Sequence, residues 1–235
     1  MWKAKSGGRK LTFHLAGINN QNFLMQDEET GTWWQQVSGE AVAGPLRGQH
    51  LEPVFHDELS FALWKREQPG GSVLRPEESA PWRKFSEDWE AKTAKAPVVT
   101  PRVPGEPLPA REIVVGLRVG DEAKAYPLAA LRKQSPVTDT LGGAPIVLVV
   151  GDDGRSVRAF RRTVDGRELQ LFRKPGLEPL RLVDDATASE WSFAGDAVSG
   201  PLAGKRLEKV SVLLDYWFDW RTYNPKTAVY KLGTR

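Results

Sequence analysis

Apolar and polar residues alternate along much of this chain, in short pieces separated by glycine and proline. Lys10-Leu11-Thr12-Phe13-His14-Leu15 alternates, and Glu168-Leu169-Gln170-Leu171-Phe172 does so more loosely, with the two-residue period of a strand. Ile113 to Val119 and Ile146 to Val150 are β-branched runs bounded by Gly and Pro, and they predict further strands. Helical spacing is confined to short windows. Leu59 to Glu67 and Val212 to Thr222 place apolar and aromatic residues three to four apart and predict helices that stop near Pro69 and Pro225. Tyr126-Pro127-Leu128-Ala129-Ala130-Leu131-Arg132 predicts one more, with proline in its first turn. The expected fold is mainly β, an α+β chain with few short helices.

The pattern repeats. Gly39-Glu40-Ala41-Val42-Ala43-Gly44-Pro45-Leu46-Arg47-Gly48 returns 156 residues later as Gly195-Asp196-Ala197-Val198-Ser199-Gly200-Pro201-Leu202-Ala203-Gly204. Asp27, Thr30 and Trp34 face Asp184, Thr187 and Trp191, while Trp64 and Pro69 face Trp220 and Pro225. A period this long is not that of a solenoid, so the expectation is two homologous domains in tandem. Ala94 to Leu108 is rich in proline and favours an extended connector. The domains expected are therefore residues 1–93, a linker at 94–108, and 109–235. Each Gly-Pro-Leu-x-Gly segment reads as a turn, with φ fixed at the proline and a glycine free to take φ > 0. Trp34, matched by Trp191, reads as shared core, and Trp33, matched by Glu190, as exposed.

Composition narrows the function classes. Of 235 residues, 40% are hydrophobic and 27% charged, which predicts a packed fold. The formal charge is only +3, with Lys and Arg interspersed among Asp and Glu, so nucleic acid is a poor partner. No apolar run approaches the roughly 18 residues of a membrane span. Met1 to Gly8 lacks the apolar core of a signal peptide, so the chain as given reads as cytoplasmic, and as extracytoplasmic if a signal peptide precedes Met1. The absence of cysteine excludes disulfides, thiolate metal sites and a Cys nucleophile within these residues. The nine tryptophans read chiefly as core.

Asp27-x-x-Thr30-Gly31-x-x-Trp34, Gly39-x-Ala41-Val42-Ala43-Gly44-Pro45-Leu46-x-Gly48 and Trp64, with their counterparts, together with Gly116, Ala125-Tyr126-Pro127-Leu128 and Asp139-x-x-Gly142-Gly143-x-Pro145, resemble the bacterial domain-of-unknown-function 3179 family. The resemblance covers nearly everything outside the linker. It implies a His shortly before the position of Asp139 and a Cys-Pro-Leu-Cys motif after that of Pro145, a set suited to redox or metal work. Carried onto this sequence, the His falls at about Gln134 and the two Cys at Gly151 and Gly154, so the second copy reads as degenerate. Gly151-Asp152-Asp153-Gly154 reads as a solvated hairpin turn without chemistry. Aligning Trp2 with Phe160, and Gly8 to Leu11 with Gly166 to Leu169, places the equivalent of Gly154 just before Met1. The first copy is therefore expected to lack its N-terminal part. Some family members carry selenocysteine at the thiol position, which makes a possible selenoprotein whose reactive residue lies upstream of Met1.

Within the chain, the candidate binding residues are His14, Asn19, Asn20, Asn22 and Trp33, because amides and an imidazole there are replaced in the second copy by Leu171 to Leu177. His50 and His56 read as surface histidines. No phosphate loop, Ser-His-Asp order or metal-binding His spacing occurs, so no motif encodes a cofactor or metal site. The expectation is a non-catalytic binding or assembly module with a small molecule or protein as partner. The alternative is a redox or metal-dependent enzyme whose Cys or selenocysteine lies upstream of Met1.

Overall fold

The computed structural model describes residues 1–19, 21–75, 84, 86–100, 103–176 and 178–233, and the fold is mainly β with four short helices among them. Gly7 and Gly8, at φ 55° and 83°, turn the chain between β1 (Lys5–Ser6) and β2 (Arg9–Lys10). An antiparallel meander follows, of β3 (Phe13–Asn19), β4 (Asn22–Asp27), β5 (Trp33–Gln35) and β6 (Ala41–Ala43). Helix α1 (Phe61–Glu67) starts at Ser60, whose Oγ accepts from the Leu63 amide, and α2 (Trp89–Lys95) runs into the start of the proline-rich segment.

The second half opens with β7 (Ile113–Val119), β8 (Glu122–Pro127), α3 (Leu128–Lys133), β9 (Val137–Leu141), β10 (Ala144–Val150) and β11 (Val157–Arg161). A hairpin of β12 (Thr163–Val164) and β13 (Arg167–Glu168) leads to a second meander of β14 (Leu171–Arg173), β15 (Arg181–Asp184), β16 (Glu190–Ser192) and β17 (Ala197–Ser199). The chain closes with β18 (Lys209–Val210), β19 (Val212–Tyr216), α4 (Trp217–Tyr223) and β20 (Ala228–Val229). Two sheets, ordered β19-β7-β8-β20 and β18-β11-β10-β9, enclose one core, and only β20 against β8 is parallel. Successive residues of β10 serve opposite faces. Ile146 and Leu148 join Leu117, Tyr126 and Leu131, whereas Val147 and Val149 join Phe160, Leu182 and Trp191 beneath the second meander. Leu63 of α1 is buried in that latter core, so the first half contributes to the packing of the second. The first half's own core is small: Leu11, Trp34, Ala41 and Leu51.

One local arrangement occurs in both meanders. Met25 faces Trp34 as Leu182 faces Trp191, with a bulge before each tryptophan. The Trp34 indole donates to Asp27 Oδ2 at 2.8 Å, and the Trp191 indole to Asp184 Oδ2 at 2.9 Å. Each aspartate also accepts a backbone amide at 2.6 Å, from Thr30 and Thr187. Gly44 and Gly200 take φ 100° and 86°, and a Cβ there would lie 2.8 Å from Thr32 Cα and 2.6 Å from Ser189 Cα. The Asp-x-x-Thr and Trp motif is thus a buried polar clamp on the core, not a site. Asp184→Asn is expected to destabilise the protein by about 1–3 kcal/mol in urea unfolding, because an amide NH2 would then confront the indole N–H.

Three expectations change. Val212 to Tyr216 do not begin a helix; they pair antiparallel with Ile113 to Leu117, and α4 starts only at Trp217. The predicted helical window had joined a strand and a helix end to end, and the free edge of β7 takes the first five residues. The alternation through Lys10 to Leu15 is likewise split at Leu11-Thr12, where Leu11 turns inward and the Thr12 amide and hydroxyl both bond Glu29. Trp33, expected to be exposed, is instead half-buried, because its ring lies over Gly17, where a Cβ would be 3.5 Å from it; Trp34 and Trp191 are fully buried.

Candidate functional site

The candidate residues of the first half divide between the two ends of its meander. His14 pairs with Gln26, and Gln26 with Trp33, so these three form one row across β3, β4 and β5, with His14 exposed. Asn19 and Asn22 face each other at the hairpin end, roughly 16 Å along the strand from His14. Asn19 donates to Gln35 at 3.1 Å, and Asn22 donates across the molecule to Asp219 at 2.9 Å. Asn20 lies outside the described residues.

The positions Gln134, Gly151 and Gly154 come to one end of the second half. Gln134 caps α3 and accepts from the Tyr230 hydroxyl at 3.2 Å. Arg132 Nε donates to the Gly154 carbonyl at 2.6 Å, and the Val150 amide to Ser135 Oγ at 2.9 Å, which ties the end of α3 to the β10–β11 turn. Tyr230 stacks on Tyr126, whose hydroxyl donates to Asp139 at 2.8 Å beside Lys124 at 2.6 Å. Burial would raise the Asp139 carboxyl, but the hydrogen bonds from Lys124 and Tyr126 hold it below its ordinary value. The turn is not simply solvated. Asp152 accepts from Arg173 and the Leu180 amide, and Asp153 accepts from Ser60, Ser156 and two backbone amides. Burial opposes the ionised form of Asp153, yet these donors bring its carboxyl down to about 2. Both acids therefore fix the turn in place, Asp153 by bonding the cap of α1.

A cavity of about 380 Å³ lies between the first meander and the sheet of β19 and β7. Asn22, Glu58, Asp215 and Asp219 supply its polar wall, and Trp2, Trp220 and Tyr223 its aromatic one. Its position follows from local structure. Asp215 is on β19 and Asp219 four residues on in α4, where Trp220 rests on Gly116 so closely that a Cβ would lie 2.2 Å from the indole. Glu58 reaches over from the first half and accepts the Leu214 amide at 3.0 Å.

Asp215 and Asp219 are neighbours on the cavity wall, close enough for the charge of Asp219 to act on Asp215. Burial first, then the charge of Asp219, pushes the Asp215 carboxyl up to about 8. Burial also raises Asp219, against the hydrogen bond from Asn22. Asp215 Oδ2, Asp219 Oδ1 and Asn22 Oδ1 are closed off from solvent without a donor. Carboxyl oxygens shut away from water in this way need a proton or another donor, since neighbouring like charges with little solvent do not both ionise readily. Two roomier hollows, of about 540 and 610 Å³, hold no unpartnered buried carboxylate among the described residues.

Because the folded pair retains a proton that the unfolded chain releases near 3.8, folding takes up protons between there and about 8. The resulting stabilisation is full below about 4 and is lost as pH rises through about 8. The unfolding free energy from urea titrations is expected to fall across that window, by up to about 1.4 kcal/mol per pH unit, and Asp215→Asn to flatten the slope.

Sequence reasoning missed these acids, although a signal was available. The residues 156 positions earlier are Leu59 and Leu63, so the second half carries acids where the first carries core leucines, within the aromatic run Asp215-Tyr216-Trp217-Phe218-Asp219-Trp220. Among known proteins, a family model described as "Protein of unknown function (DUF3179)" matches residues 1–227. No curated protein and no solved structure matches the chain.

Proposed function

The chain belongs to the DUF3179 family, and from that premise we propose that it is a non-catalytic binding module whose ligand enters the acid-lined cavity between its halves. The observation that carries this reading is the Asp215–Asp219 pair, Asp219 buried and Asp215 half-buried, each with one oxygen shut away from any donor among the described residues, in a cavity large enough for a small molecule. The module is one structural unit carried twice, over residues 1–93 and 109–235, and the clamps at Asp27 and Asp184 support that reading. In it the degenerate positions Gln134, Gly151 and Gly154 serve structure: a cap, a buried glycine and a turn. The other reading is a redox or metal-dependent enzyme, and a thiol for it is not found within these 235 residues, which contain no cysteine.

The test is a small-molecule screen by NMR on the full chain, following the indole and amide signals of Trp220, Tyr223 and Asn22. Saturable shifts confined to those residues are expected, and a chemically broad set that moves none of them would remove the reading. Assembly is favoured by one observation, the exposed apolar residues Leu15, Ile18 and Phe23 on the β3–β4 hairpin. Sedimentation velocity is expected to show self-association that Ile18→Lys abolishes; a monomer at every concentration would set assembly aside.

A further inference from the structure

Resting on the binding reading, we infer that the cavity takes a small primary ammonium, held by Asp215, Asp219 and Asn22, with its carbon chain against Trp2 and Trp220. An acid cluster alone would not carry this. Asp219 is 7% exposed, lines the cavity, and has one oxygen without any donor; Asn22 Oδ1 beside it is also unpaired. Buried acceptors left unmatched are costly, so an occupant bringing N–H donors relieves several at once.

The charge around the pair points the same way. Glu58 adds a third negative group. Arg118, His56 and the Met1 amino group also face the cavity; His56 Nε2 stands 3.6 Å from the Glu58 carboxylate and the Met1 amino group also feels Glu58, while no hydrogen bond or ion pair among the described residues joins any of the three to either aspartate. An ammonium has three N–H donors for these acceptors, and its alkyl chain suits indole faces, which also attract cations. A divalent metal is a poorer fit, because the described residues hold no group of three His, Asp or Glu side chains placed to ligate one.

The exchange balances. The singly protonated pair, with net charge −1, and R–NH3⁺ become two carboxylates around R–NH3⁺, and one proton goes to solvent. Affinity must therefore rise with pH below the pair's titration, by up to about tenfold per unit.

The experiment is isothermal titration of the full chain with n-butylammonium, n-butanol and calcium chloride, near pH 6 and pH 8 and in two buffers of different ionisation heat. Butylammonium is expected to bind more tightly at the higher pH and to release about one proton. Asp219→Asn, with its fold checked by circular dichroism, is expected to weaken binding at least tenfold and abolish the release; Asp215→Asn provides a second variant. Butanol binding as well as the amine, or calcium binding in its place, would overturn the ammonium assignment while leaving the cavity a binding site. If none of the three binds or shifts the Trp220 signals, the assignment falls, and the broad screen above then decides the binding reading separately.

Discussion

Replacing Trp191 by alanine is expected to destabilise the protein by about 3–5 kcal/mol, enough to consume much of a typical domain's stability. Trp191, on β16 of the second meander, is fully buried among Val147, Val149, Phe160 and Leu182, so the space left has little means of collapse. Its indole N–H also satisfies Asp184, and alanine would leave that buried carboxylate short of a donor. Trp191→Phe, which keeps the ring and loses the donor, should recover more than half of the loss. Trp34→Ala should cost less, because its cluster holds only Leu11, Ala41 and Leu51 as buried partners. Urea unfolding followed by circular dichroism measures all three, and equal midpoints for Trp34→Ala and Trp191→Ala would contradict the difference in core size.

Arg158→Ala is the second large effect, about 3 kcal/mol. The Arg158 side chain is 4% exposed and gives two 2.8 Å bonds to Glu67 and one of 2.8 Å to Asp57, so it fastens α1 and the segment before it to β11. The Phe193 ring lies 4.8 Å from its guanidinium. Truncation would leave two carboxylates facing a buried hole. The cost stays at the low end for a buried ion pair because Asp57 keeps Lys209 at 2.8 Å. Arg158→Lys should restore only part, since a single ammonium cannot reproduce the planar fork that grips Glu67. The same unfolding measurement, with proteolysis of α1 as a second readout, checks it; wild-type protection of α1 in Arg158→Ala would mean that this ion pair does not fasten the halves.

Most of the fold could be read from the sequence because its determinants are local. The β-branched runs became β7 and β10, the short window before Pro69 became α1, and Pro127 opens α3 as its chemistry requires. What stayed hidden depends on contacts far apart in the chain. Val212 to Tyr216 became a strand because β7, about a hundred residues earlier, offered an edge. Arg158 reads as an ordinary charge until Asp57 and Glu67 fold over it. At the site, comparison of the two halves led to the amides of the first, and of those Asn22 lines the cavity. The same comparison at Leu59 and Leu63 against Asp215 and Asp219 was not drawn from the sequence, because its meaning depends on burial, which spacing alone does not reveal.

The central claim is that Asp215 and Asp219 share a proton near neutral pH inside the cavity between the halves. Carbon-13 NMR titration of the aspartate carboxyls, assigned with Asp215→Asn and Asp219→Asn, tests it most directly. One carboxyl of the pair is expected to titrate near 8, with the Asn22 side-chain signals moving in step. Ordinary titration of both near 4 would contradict the claim, and with it the site.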